Sequence, residues 1–176
     1  MRLTTLTLAL FPISAFAAGS ETPTPPTPSE TTTVCAEGLV WDLATQTCLP
    51  PEQSTNDDNA RLDDVRELAY DGQFAAALDL LETLENPQAP LALTYFGFVN
   101  RGLGDAATGM AYYQAALAAD PDNLLARSYM GQGHVAAGEM ALALVQLTEI
   151  RMRGGQGTWP EASLADAIAT GAVYRF

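Results

Sequence analysis

From residue 59 onward the apolar positions recur at helical spacing, three to four residues apart, and they do so in blocks. Three segments align: "RELAYDGQFAAALDLLETLENPQ", "GFVNRGLGDAATGMAYYQAALAADPDN" and "GQGHVAAGEMALALVQLTEIRMRGG". Each reads as a helix, a glycine followed by a polar residue, and a second helix. The turn glycines are Gly72, Gly104 and Gly138, spaced by 32 and 34 residues. A glycine ends a first helix in the left-handed conformation without a side-chain clash. In "AADPDN" the expected cap is Asp120 with Pro121 at the first helical position, and "ENPQ" offers Asn86 and Pro87 in the same way. The paired carboxylates Asp57-Asp58 and Asp63-Asp64 are expected at a helix start, where they favour the dipole. Arg151 and Arg153 are expected in a last turn. After Pro160 one more amphipathic run, Glu161 to Thr170, predicts a closing helix that ends near Gly171 ahead of a short aromatic tail.

The predicted fold over 59–176 is therefore all-α: three helix hairpins and a C-terminal helix. No single hairpin of this kind buries its apolar face alone, so neighbours must stack.

The first 58 residues follow other patterns. One positive charge, Arg2, precedes an apolar run from Leu6 to Phe16 and then Ala15-Phe16-Ala17. This order predicts a signal peptide over 1–17, cleaved after Ala17. The run is shorter than the roughly 20 residues a spanning helix needs, so the mature chain is not expected to insert in a membrane. Residues 18–34 are rich in proline and threonine and predict an extended, disordered spacer. Residues 49–58, "LPPEQSTNDD", predict a second linker.

Between the linkers lies "CAEGLVWDLATQTC", Cys35 to Cys48. Export makes such a thiol pair oxidised by default, and the spacing is not the two-residue spacing of redox or haem motifs. The expectation is a disulfide-closed loop over 35–48: a turn at Gly38, a strand-like Leu39-Val40-Trp41 run and a return over Asp42 to Thr47. The segment resembles the cysteine–glycine–aromatic–aspartate–cysteine core of small chitin-binding modules. That resemblance implies Trp41 as a residue stacking on a glycan. Without it, Trp41 packs on the disulfide.

Charge narrows the partners. The chain has 21 Asp and Glu, 8 Arg, no Lys, and a net charge of -13. Such a chain repels phosphate backbones, which argues against nucleic acid. The expected compartment is periplasmic or secreted. One histidine, His134, is expected to pack inward on the first helix of the third hairpin. It has no second histidine to form a zinc site, "GGQG" at 154–157 has no lysine to make a phosphate loop, and no serine stands in a nucleophile elbow. Neither an enzyme nor a cofactor is expected.

The repeats resemble the tetratricopeptide family. The second, Pro90 to Asn123, carries most of the pattern. Gly97 stands where two helices press close, Gly104-Asp105 at the turn, Ala116-Leu117 on the packing face and "DPDN" at the close. The third, Leu124 to Gly157, matches at Gly131, Gly138, Ala143 and Leu147. The first, Asp58 to Ala89, matches at Gly72, Phe74, Ala77 and Leu84 but has Val65 where the family favours a small residue. The resemblance implies a short right-handed superhelix whose first helices line a concave groove for a peptide or partner helix. Projected onto this sequence, the groove holds Leu62, Arg66, Tyr70, Thr94, Phe98, Arg101, Ser128 and Gln132. Arg66 and Arg101 can bind carboxylates bidentately. The family's lysine-based carboxylate clamp is not carried over, because the chain has no lysine. The function implied is an exported scaffold or adaptor for protein partners in the cell envelope.

Overall fold

The computed structural model describes residues 27–172. The expected signal peptide, most of the first spacer and the aromatic tail at 173–176 lie outside them. The described chain is an all-α domain preceded by a short β-hairpin that a disulfide staples. In order come α1 (Glu30–Thr33), β1 (Val40–Asp42), β2 (Thr47–Leu49), a 3-10 turn (Pro51–Gln53), α2 (Asp58–Tyr70), α3 (Phe74–Glu82), α4 (Pro90–Gly102), α5 (Ala106–Ala119), α6 (Leu124–Ala136), α7 (Met140–Met152) and α8 (Trp159–Thr170).

Helices pack as sequence neighbours: α2 on α3, α4 on α5 and α6 on α7. Each pair also touches the next through α3 on α4 and α5 on α6, and α8 lies against both α6 and α7. The turn glycines have positive φ, 82° at Gly72, 95° at Gly104 and 76° at Gly138. That is the left-handed conformation expected of them. Gly97 lets α4 and α5 meet: a Cβ there would strike the Tyr113 ring and lie 3.0 Å from the Gly109 carbonyl oxygen. Gly131 serves a different neighbour, because its Cβ would sit 2.6 Å from Leu164 of α8. The main core joins α2 to α6 through Val65, Leu68, Leu80, Leu81, Val99 and Tyr95, with Val40 of β1 inside it.

Two helix starts differ from the sequence expectation. α6 begins at Leu124, capped by Asn123, whose side-chain oxygen accepts from Ala126 N at 2.9 Å. Asp120 instead ends α5 and turns its carboxylate to Asp122 N at 3.0 Å. Likewise α4 starts at Pro90 with Ala89 before it, and Asn86 and Pro87 stay in the loop. At the α6 start the cap Asn123 also donates to Thr94 Oγ1 at 3.0 Å. Asp57 does cap α2, accepting from Ala60 N at 2.9 Å. Asp63 and Asp64 lie further along, in the second turn of α2, and Asp64 is buried. Arg151 is in the last turn of α7, with Arg153 just past it.

The segments expected as linkers are attached to the helices where the structure describes them. α1 falls within the expected spacer, yet Thr31 is buried. The second linker forms the 3-10 turn and buries Pro51, Ser54 and Asn56. Arg61 of α2 holds this turn by donating to the Ser54 carbonyl at 2.9 Å and to the Thr83 carbonyl at 2.5 Å.

The hairpin pairs Val40 with Leu49, Trp41 with Cys48 and Asp42 with Thr47. Its strand is one residue later than the Leu39–Trp41 run expected. Its bounds follow the ladder with β2, and alternation then places Val40 and Asp42 on the buried face.

Candidate functional site

An aromatic row crosses the first helices of the three pairs. Tyr70 of α2 stacks on Phe98 of α4 with centroids 5.4 Å apart, and Phe98 meets Tyr129 of α6 at 4.6 Å. Phe74 of α3 adds an edge contact to Phe98 at 6.2 Å. The hydroxyls of Tyr70 and Tyr129 are hydrogen bonded at 2.6 Å. Burial pushes the Tyr129 phenol well above its ordinary range, and the neighbouring tyrosines add to this. Tyr113 behind it is pushed up to about 12 by burial, against an opposing effect from Arg101.

Two guanidinium groups border this row. Arg101 lies over the Phe98 ring, 5.6 Å from its centroid, in a cation–π contact. Arg66 stands one turn before Tyr70 on α2 and pairs with Asp63 at 3.4 Å. The Arg66 side chain is 19% exposed, its Asp63 partner 71%. The Nε atoms of both arginines are buried without a hydrogen-bond partner. The partly exposed ends of the two guanidinium groups, not these enclosed Nε atoms, are what an anionic group can reach, and the aromatic rings beside them are buried.

The eight residues projected as a groove divide. Tyr70 and Phe98 are buried in the aromatic row, 8% and 3% exposed, while Arg101 and Arg66 beside it are partly exposed. Leu62 is buried, 8% exposed, in the main core. Thr94 is fully buried, donating to the Pro90 carbonyl at 2.7 Å and accepting from Asn123. Ser128 and Gln132 are also fully buried. Gln132 donates to Ser128 at 3.3 Å and to Ser163 of α8 at 3.0 Å, so these polar groups join α6 to α8. Fully buried, Thr94, Ser128 and Gln132 do not line a surface that a partner touches. Tyr129 and Phe74 belong to the row and were missed. Nothing in the sequence separates Tyr129 from its neighbours except its aromatic character. His134 is buried as expected and shares a 2.7 Å hydrogen bond with Glu139.

The second candidate region is the hairpin. The Cys35–Cys48 bond is present. Trp41 is directly opposite Cys48, on the face away from buried Val40 and Asp42, and is half-buried. Three carboxylates hold this region together. Asp42 accepts from the amide and hydroxyl of Thr45, both at 2.7 Å, and of Thr55, at 2.6 and 2.7 Å. The Thr55 and Thr45 bonds hold its carboxyl well below the usual range. Asp64 accepts from Thr31 Oγ1 at 2.6 Å and Asn56 Nδ2 at 3.0 Å. Burial raises it to about 6, partly offset by those two bonds, with Glu67 and Asp63 raising it further. Glu67 accepts from the amides of Ser29 at 2.7 Å and Thr32 at 3.0 Å, and from both their hydroxyls. Asp64 and Glu67 of α2 are thus anchors for the chain before it.

Among the described residues no helix is long and apolar enough to cross a membrane. Nor do three or more His, Cys, Asp or Glu side chains among them gather as a metal would require. Comparison of the chain with protein-family models, with curated proteins and with solved structures gives no match.

Proposed function

We propose that the protein is an exported adaptor of tetratricopeptide type that binds protein or peptide partners in the cell envelope. Its binding face is the edge of α2 and α4 at Arg66 and Arg101, partly exposed beside the buried aromatic row of Tyr70, Phe98 and Tyr129. The observation that carries this reading is the pair of partly exposed arginines, Arg66 and Arg101, beside that row in a chain of net charge -13. The partly exposed guanidinium ends can pair bidentately with a carboxylate. The partner segment is accordingly one that presents carboxylates. Three helix pairs joined by left-handed glycines at a spacing of 32 and 34 residues support the repeat assignment. The formed disulfide supports an oxidising compartment.

The test is Arg66→Glu combined with Arg101→Glu, used as bait in envelope extract beside the wild type. Loss of the captured partners, with an unchanged melting curve, is the expected result. An unchanged partner set refutes the reading.

A second reading rests on Trp41, which is turned away from the core beside the disulfide. It assigns glycan binding to the hairpin, as in small chitin-binding modules. A glycan array on the protein and on Trp41→Ala separates the two. A blank array for the wild type removes the glycan reading.

A further inference from the structure

Helix α7 is apolar on its outward as well as its core face over most of its length. Ala143, Leu147 and Ile150 face the core, while Met140, Leu142, Leu144, Val145 and Met152 are 38–76% exposed. These five are the majority of the eight large apolar side chains exposed among the described residues. No charged residue occurs between Glu139 and Glu149. The polar groups in that span are already used within the chain. The Thr148 hydroxyl donates to the Leu144 carbonyl at 2.9 Å, and Gln146 accepts from Arg127. A helix apolar on both faces is built for burial on both. The other second helices differ: α3 shows Asp79 and Glu82 to solvent, and α5 shows mainly alanine.

The ends of α7 indicate what covers it. The N-terminal end has an acid, Glu139, 51% exposed beside His134. At the C-terminal end Arg151 is the most exposed charge of the helix, 52% exposed, with its Glu161 partner at 15%. Arg153 follows, bonded to Asp122 and Glu149. An antiparallel copy of α7 brings acid to base at both ends and aligns opposed helix dipoles. A parallel copy sets arginine on arginine. In a chain of net charge -13, this is also the surface where two copies approach with least acidic repulsion. A twofold axis makes one patch its own complement.

We propose that α7 is a homodimer interface, packed antiparallel against α7 of a second copy. The outward stripe Ala141, Val145, Thr148 and Met152 centres the twofold axis between Gln146 and Leu147. At 1.5 Å rise per residue, the two Val145 positions then lie only about 5 Å apart along the axis, and the two Met152 positions about 16 Å apart.

Sedimentation equilibrium of the full chain over a dilution series tests the proposal. The expected result is twice the single-chain mass, falling to one chain for Leu144→Glu with Val145→Glu. Both positions are exposed, so far-UV dichroism and melting of the single chain should stay intact. Under mild oxidation, Val145→Cys should crosslink the two copies and Met152→Cys should not, because a disulfide cannot span more than about 7 Å between Cα atoms. A single-chain mass for the wild type overturns the proposal, as does a double variant that remains dimeric. Crosslinking through Met152→Cys but not Val145→Cys overturns the antiparallel arrangement.

Discussion

Lowering the pH from 7 to 5 should stabilise the fold, and mutation of Asp64 isolates the cause. Asp64 is buried between Thr31, Asn56 and Glu67, and burial raises its carboxyl from 3.8 to about 6. Between those two values the folded chain keeps a proton that the unfolded chain has lost, so stability falls as pH rises. The stabilisation is complete below about pH 4 and gone once pH passes about 6. The full difference converts to about 3 kcal/mol, and solvent at the carboxyl edge screens it to about 2 kcal/mol. Other carboxylates also lose repulsion on acidification, so the measurement must be a difference. Urea midpoints of the wild type and Asp64→Asn are compared at pH 5 and pH 7. Asparagine still accepts from Thr31 but turns an amide group towards the Asn56 amide, which already donates to the Trp41 carbonyl at 2.9 Å. The variant should therefore be less stable than the wild type at pH 5 and close to it at pH 7. An Asp64→Asn curve parallel to the wild type across this range refutes the assignment. Asp42 acts in the opposite sense. Its carboxyl is held low by Thr55 and Thr45, so what it contributes is present above pH 3.8 and is lost on further acidification.

Three further outcomes are expected. Val40→Ala removes two fully buried methyl groups from the main core and should cost about 2 kcal/mol in urea unfolding; no cost would mean the hairpin does not fold with the helices. Cys35→Ser with Cys48→Ser opens a loop of sequence separation 13 and should lower stability by about 3 kcal/mol, read from the same denaturation curves; an unchanged midpoint would contradict it. Gly97→Ala drives a methyl into the Tyr113 ring between α4 and α5 and should cost about 1–3 kcal/mol, with Gly133→Ala, where the nearest atom is at 3.5 Å, as the tolerated control.

The helix pairs were readable because their signals are local. A glycine at positive φ, a polar residue and a new apolar period can each be seen within a few residues, and Gly72, Gly104 and Gly138 supply them. The disulfide was readable from the spacing of its cysteines together with the expected signal peptide. Residues 29–33 were not, because their acceptors, Asp64 and Glu67, come 33 to 38 positions later. Threonine and serine look like spacer until a buried carboxylate needs their hydroxyls. The candidate face was readable only in part. Periodicity put Thr94, Ser128 and Gln132 on one side of their helices, but neighbours fixed what that side meets. Asn123 satisfies Thr94, and α8 supplies Ser163 to Gln132. The aromatic partnership of Tyr70, Phe98 and Tyr129 depends on side-by-side placement of three helices, which a one-dimensional pattern does not encode.

Photocrosslinking tests the adaptor assignment most directly. A photoreactive amino acid replaces Asp63, at the exposed rim beside Arg66, or Asp79, exposed on α3, and cells expressing each protein are irradiated. The account predicts a discrete protein adduct from position 63 that disappears with Arg101→Glu, and none from position 79. An adduct from position 79 alone, or one from position 63 that survives Arg101→Glu, would contradict it.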